Sequence, residues 1–451
     1  MNKQILRLIA PLAFTALTVN VAYAQNANDE SQAVKECRDS GDCTVINKPY
    51  CNMQIPLNDG SRPSKKYVIN GDISCNSDDL SSGPESRGIY PSAALNITGD
   101  ELEVVLNGDI NCGESRPQNL SSDFTGALSS IGIWVGGDRN IVKGDDSHIY
   151  NCGVSIEVGD VTENGKANSD VSADFPHFKT NNIVESFKIY ECNAGVRLNT
   201  NNNRVRHVSA TCGLSVIKAF EPTGKGPSFP FPPLSAAFSS DGFVIGIKAL
   251  DPNDNATCTN TGDPSSGNPI LPTPPAAGTL EAVVPSVYNN VIEHSTAIYN
   301  INGFLGGNEM DALALPRISN KFQHNLAEKN LSGIVLVGSG HRVLENETPQ
   351  NGGFGKSTSS SFLENSAGIV VSLNNPACNP NFQNSYPTVG FKPINLNIVS
   401  HNHSNENFSY GVASLLMYYQ GTSAQGNTQS PIIDTGPGTG SYTHLRAHET
   451  N

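Results

Sequence analysis

Charge is scarce in this sequence, and positive charge most of all. Charged residues make up 16% of the 451, with 28 Lys and Arg against 42 Asp and Glu, a net charge of −14. No basic stripe is present, so the counterion release that drives nucleic-acid binding has no source. An anionic lipid surface is disfavoured on the same ground. An acidic polysaccharide is repelled unless a divalent cation bridges it; no cofactor is expected, with Ca²⁺ left open. With four Met, one of them the initiator, soft ligands for copper delivery are few. No Cys-x-x-Cys pair occurs, which argues against a zinc cluster, and no metal site is expected. Beyond the first two dozen residues no apolar run approaches the ~20 residues of a transmembrane helix. Leu415-Leu416-Met417-Tyr418-Tyr419 is short enough to be a core or edge strand. Good helix formers are also few, whereas Gly, Asn and Ser abound, a texture that suits β-structure with many turns.

The two ends stand apart from this texture. Lys3 and Arg7 precede a mostly apolar stretch from Leu8 to Val21, and Ala22-Tyr23-Ala24 supplies small residues at the cleavage position. This is the pattern of a secretory signal peptide over 1–24, and it predicts a periplasmic or extracellular protein. At the other end, 441–451 resembles read-through of a sequencing adaptor and is expected to be non-native. Its His444 and His448 are therefore not read as zinc ligands.

Between the ends a phrase recurs: a branched apolar pair after Asn, a polar stretch, then Asn or Cys near Gly, then apolar-x-apolar. It reads Asn140-Ile141-Val142 to Tyr150-Asn151-Cys152-Gly153-Val154-Ser155-Ile156, then Asn182-Ile183-Val184 to Tyr190-Glu191-Cys192-Asn193-Ala194-Gly195-Val196-Arg197-Leu198. It returns from Asn203-Arg204-Val205 to Thr211-Cys212-Gly213 and from Asn290-Val291-Ile292 to Tyr299-Asn300-Ile301-Asn302-Gly303-Phe304, with looser copies at Gly333, Gly368 and Gly411. A repeat of about 20 residues with short strands and Asn/Gly corners marks a solenoid, in which a single copy cannot bury its own apolar face but stacked copies can. The organisation expected is an N-terminal cap segment over 25–66 and a coil domain over 67–440. A polar loop at 159–180 and a Pro-rich insertion at 221–285 interrupt it. Within that insertion Phe243-Val244-Ile245 can form one coil strand. Asn and Gly are expected at the corners because they tolerate positive φ, and Asn at one phase can stack as a hydrogen-bonded ladder.

The ten cysteines all follow the signal peptide, as in an exported, disulfide-bearing protein. Cys37 and Cys43 are candidates for a local bridge. Cys75, Cys112, Cys152, Cys192 and Cys212 share one phase of the repeat and are expected to form an inward ladder of small apolar groups instead of a full set of bridges. A Cys258–Cys378 bridge is left open.

On these repeat copies the chain resembles the right-handed parallel β-helix proteins of the pectin-lyase-like superfamily, in particular the short-repeat type of copper-maturation periplasmic proteins. The resemblance covers about 67–420. It implies an all-β, single-stranded right-handed parallel β-helix with loop insertions, and it leaves the activity open, because this fold carries lyases, hydrolases, epimerases, adhesins and binders. The polygalacturonase-like set of Asp, Gly-His-Gly and Arg-x-Lys is incomplete: Gly144-Asp145-Asp146 reads as a solvated turn, and Gly340-His341-Arg342 departs from the motif. The calcium-binding carboxylates and Arg base of pectate-lyase-like members have no local match. His401-Asn402-His403 reads as structural or exposed.

The outward positions give the site candidates. Aligned on Gly-apolar-x-apolar they are Trp134, Ser155, Arg197, Ser215, Leu305, Val335 and Val370, with Glu157 and Asn199 two residues further along their coils. Trp134 beside Arg197, Glu157 and Asn199 is the kind of surface that stacks a sugar ring and bonds its hydroxyls. The alternative is that Trp134 packs beneath the N-terminal segment or a loop. A second outward column, Lys143, Glu185, Arg206 and Glu293, is expected to pair structurally. The function expected is carbohydrate binding, on a polysaccharide or cell-surface glycan, or a surface or adhesion scaffold, without catalysis. A polysaccharide lyase or glycoside hydrolase with a divergent site is the alternative.

Overall fold

A computed structural model of the protein describes residues 31–57, 63–76, 80, 93–114, 130–145, 147–159, 181–214, 240–245, 289–306, 320–337, 341–352, 367–372, 397–407, 410–414, 417–420 and 432–434. The signal peptide, most of both insertions, Asp146, Ser215, Cys258, Cys378 and the tail from 441 lie outside the described residues. Within them the fold is a right-handed parallel β-helix of three faces.

One coil shows the plan. Asn290 opens it; Val291–Glu293 lies on the first face, Thr296–Ile298 on the second and Asn302–Gly306 on the third. The next coil repeats this with Lys321–Gln323, Leu326–Glu328 and Ser332–Val337, paired in parallel at Val291↔Lys321, Thr296↔Leu326 and Phe304↔Ile334. The first face is an 11-stranded parallel sheet. In two earlier coils a single long strand, His148–Val158 or Lys188–Leu198, bends across the second and third faces. The shortest rung-to-rung distance is 20 residues, as from Asn397 to Met417, and it is 21 from Asn182 to Asn203. The same step takes 42 residues from Asn140 to Asn182 and 87 from Asn203 to Asn290. The expected strand in the Pro-rich insertion is present as Asp241–Ile245.

Alternation along each strand sorts the side chains. The first face turns Val142, Val184, Val205, Ile292, Phe322, Val343 and Val399 inward in one column, all buried. The third face adds Ile156, Val196, Phe243, Phe304 and Ile334. Phe243 and Phe304 stack at 4.7 Å, and Phe322 meets Phe304 edge-on at 6.3 Å. In a packed interior each buried backbone group at a corner needs a hydrogen-bond partner.

Asparagine supplies it. At the corner between third and first faces, Asn182, Asn203, Asn290 and Asn320 each accept, through Oδ1, the N–H of the preceding rung's Asn at 2.8–3.0 Å. Between first and second faces, Asn325 accepts the Ser295 N–H, and Asn346 and Asn402 accept the N–H of the preceding rung's Asn, at 2.9–3.0 Å. Asn330, Asn351 and Asn407 form a third ladder at 2.8–3.0 Å. Positive φ falls on corner asparagines at Asn181, Asn202 and Asn289, but not on the ladder asparagines themselves; the residue before each usually carries it, and it is often not Asn: Arg139, His324, Lys329, Glu345, Gln350, His401 and Glu406 all have positive φ. The glycines of the third face answer to closeness. A Cβ on Gly242 would sit 2.5 Å from the Gly303 carbonyl, and one on Gly303 2.6 Å from that of Gly333.

The cysteine expectation is also corrected. The phase is right, since Cys152 and Cys192 face each other in register. The thiols, however, are joined as Cys51–Cys75, Cys112–Cys152 and Cys192–Cys212, with Cα separations of 5.3, 5.1 and 4.4 Å. Stacking side chains at one phase of adjacent rungs, about 4.8 Å apart, brings their Cα atoms within disulfide range. Past Cys212 the column changes chemistry: Asn300 takes over and caps the Cys212 N–H at 2.8 Å.

The expected Cys37–Cys43 bridge is present, with Cα atoms 5.2 Å apart. It ties a helix, Gln32–Ser40, to the strand Cys43–Ile46, which already pairs with Lys66–Asn70. Coil pairing thus starts inside the segment read as a cap. Ser31 caps the helix by accepting the Val34 N–H, and Gly41 ends it in the left-handed region. Val34 and Cys37 pack on Val68 and Val105, which point outward from the first face. The register column continues from Val105 as Lys143, Glu185 and Arg206. Outward residues are apolar under the helix and charged beyond it.

Candidate functional site

The third face brings the predicted quartet together. Trp134, Glu157 and Arg197 stand in register on consecutive rungs. Asn199 reaches back to donate to Glu157 Oε1 at 2.8 Å, and Arg197 Nη1 lies 3.5 Å from the same oxygen. Ser155 does not share this column; it falls level with Gly132 and Gly195. The quartet is buried: relative exposure is 3% for Trp134, 2% for Glu157, 9% for Arg197 and 4% for Asn199. The indole N–H donates to the Gly159 carbonyl at 3.1 Å, and the ring lies against Gly136, where an added Cβ would come within 2.3 Å of it. In this arrangement Trp134 packs. Further along the column the outward residues become Val244, Leu305, Val335 and Val370, which form an apolar cluster with Val154, Ala194 and Ala367.

The second outward column is an ion-pair ladder on the first face. Lys143 lies 3.2 Å from Glu103 and 3.6 Å from Glu185, Arg206 pairs with Glu185, and Gln323 donates to Glu293. Burial pushes the Glu103 carboxyl up, but Lys143 and Lys66 outweigh it and hold the group below the usual carboxylate range. Every member of this ladder has a partner, so it acts as cross-strand support. Asp145 is an exposed turn residue, and His341 occupies a fully buried position next to the strand Arg342–Leu344.

The second face carries an arrangement that the sequence reading missed. Tyr150 and Tyr190 are in register on adjacent rungs, with Asn111 before them, and both rings are half-buried. Beside them runs a polar column, Asp109, His148 and Lys188. Asp109 Oδ1 accepts the His148 N–H at 2.9 Å and lies 3.0 Å from its Nδ1. Asp72 Oδ1 accepts the Asp109 N–H at 2.9 Å. The His148 ring stacks on Tyr190 at 5.9 Å. Burial, then the charges of Asp109 and Asp72, push the Tyr150 phenol up, so it holds its proton as a hydrogen-bond donor. The signal lay in the repeat itself, where Tyr150-Asn151-Cys152 and Tyr190-Glu191-Cys192 place a tyrosine two residues before each in-register cysteine.

Among the described residues no group of three or more His, Cys, Asp or Glu converges to hold a metal ion, and no helix is long and apolar enough to cross a membrane. Neither a protein-family model nor a curated protein matches the chain. Solved structures similar to it include two A-modules of Azotobacter vinelandii mannuronan C-5 epimerases. That of AlgE6 shares 11% identity over 90% of this chain and 93% of its own, with a TM-score of 0.36. That of AlgE4 shares 11% over 90% and 92%, with a TM-score of 0.34.

Proposed function

We propose that this is an exported β-helix protein that binds carbohydrate on its second face, around Tyr150 and Tyr190. The observation that carries the reading is the in-register tyrosine pair, partly open to solvent and lined on one side by Asp109, His148 and Lys188. Aromatic faces on successive rungs offer stacking surface for sugar rings, and fixed polar groups beside them select hydroxyl positions. The net charge of −14 and the Asp72–Asp109 pair favour a neutral glycan over a uronic one. In this reading Trp134, Glu157, Arg197 and Asn199 support the third face, and the tyrosines are the stacking platform.

A second reading, cleavage of the bound glycan, is favoured by one observation. Asp109 and His148 form a carboxylate–imidazole pair in the column beside a proton-bearing Tyr150, which is acid/base equipment. Incubating the mature chain with neutral and uronic polysaccharides, with and without Ca²⁺, while following reducing ends and unsaturated products, separates the two. Retention of a glycan without new ends supports binding alone. New reducing ends lost in His148→Ala support cleavage. Neither retention nor cleavage across the panel rejects both.

A further inference from the structure

The edge between the first and second faces carries a feature that the glycan reading leaves unused. On six consecutive rungs the left-handed corner residue is Ser186, His207, His294, His324, Glu345 and His401, all exposed. The chain has ten histidines, so four of them share this one edge. Histidine tolerates the left-handed region better than most residues, which accounts for any one of them. It does not account for their arrangement. The rings of His207 and His294 stack at 5.5 Å and 17°, and those of His294 and His324 at 4.9 Å and 11°.

The ring nitrogens add a second, independent observation. His324 Nδ1 lies 3.2 Å from Glu345 Oε2, and His401 Nδ1 lies 2.6 Å from Ser400 Oγ. An imidazole held at Nδ1 by a carboxylate or hydroxyl presents Nε2 outward, the arrangement in which protein imidazoles ligate metals. Imidazole suits zinc, nickel and copper, while oxygen ligands suit magnesium and calcium. Two nitrogens each about 2.0–2.1 Å from a tetrahedral ion lie ~3.4 Å apart. Exposed rings on adjacent rungs reach that separation by turning about their side-chain bonds out of the resting stack.

We propose that this edge binds a divalent transition-metal ion of the zinc, nickel and copper class through His294 and His324, with Glu345 fixing the His324 tautomer. The site is independent of the glycan face. The test uses the full chain and the metal alone. Ni²⁺ is titrated calorimetrically, and Cu²⁺ at less than one equivalent is examined by electron paramagnetic resonance. The variant is His294→Asn with His324→Asn, because asparagine keeps the left-handed corners, and metal-free melting confirms its fold. The expected result is nitrogen hyperfine coupling and micromolar binding in the native chain, weakened at least tenfold in the double variant, with no response to Mg²⁺. Unchanged affinity in the double variant would place the ion at other histidines, such as His148, His403 or the His444–His448 pair, and overturn the proposal. So would copper spectra without nitrogen coupling, or no binding below millimolar metal.

Discussion

Asn203 and Asn290 stand 87 residues apart in the chain and one rung apart in the solenoid, where Asn290 Oδ1 accepts the Asn203 N–H at 2.8 Å. The contact shows what the ladder does: it fixes which strand follows which, whatever length of chain runs between. Asn203 Nδ2 also donates to the Thr200 carbonyl at 2.9 Å and to Asn290 Oδ1 at 3.1 Å, and Asn203 Oδ1 receives the Asn182 N–H at 3.0 Å. Replacing Asn203 by Ala strands two buried backbone groups. The expected loss is about 2–4 kcal/mol, read as a lower denaturation midpoint. A change within about 0.5 kcal/mol would mean that the ladder is incidental.

The bridges between neighbouring rungs predict a graded response to reduction. Cys192–Cys212 closes a 20-residue separation and Cys112–Cys152 one of 40. On the chain-entropy account each contributes about 3–4 kcal/mol. Cys192→Ser with Cys212→Ser should lower stability by that order in oxidising buffer and by nothing further in reducing buffer, as followed by urea unfolding.

Trp134 tests the third face. Truncation to Ala removes a buried indole and its bond to Gly159, and the expected cost is about 3–5 kcal/mol. Phe at the same position should recover most of it. If the Ala variant melts like the native chain and instead loses glycan retention, the stacking role belongs to Trp134 after all.

How far the sequence led can be judged from particular residues. Asn140, Asn182, Asn203 and Asn290 were legible as one phase and form one ladder. The Trp134–Arg197 column was also legible, but Ser155 was aligned at its middle and Glu157, named on the same face, stands there. Aligning Gly153-Val154-Ser155-Ile156 on Gly195-Val196-Arg197-Leu198 slips the register by two residues, and the pairing is Ile156↔Val196 and Glu157↔Arg197. A slip of two preserves the inward and outward sorting, so period-2 alternation cannot detect it. The Tyr150–Tyr190 pair was signalled by its place before the two cysteines of the repeat, whereas the histidine edge was hidden for a related reason. It depends on coils whose lengths run from 21 to 87 residues, and only the fold brings such positions level. Cys112, Cys152, Cys192 and Cys212, in turn, share one phase, which does not say which neighbours are joined: Cys152 and Cys192 are in register, yet each is bridged to the rung on its other side.

The Glu103 pairing makes stability pH-dependent in a stated direction. Its carboxyl sits below the ordinary value of 4.5 in the folded protein. The stabilisation is therefore complete above that value and is lost as pH falls through the lower, folded value. Glu103→Gln should reduce the melting temperature at pH 7 and make a smaller difference near pH 3. An equal difference at both would show that Lys66 and Lys143 do not stabilise the charge.

The central claim is that the second face binds a glycan through Tyr150 and Tyr190. It is tested most directly by retention of the native chain and of Tyr150→Ala with Tyr190→Ala on immobilised neutral and uronic glycans, with melting measured alongside. The account predicts retention on a neutral glycan that falls at least tenfold in the double variant, at unchanged fold. Equal retention by both proteins, or retention confined to uronic glycans and insensitive to the tyrosines, would contradict it.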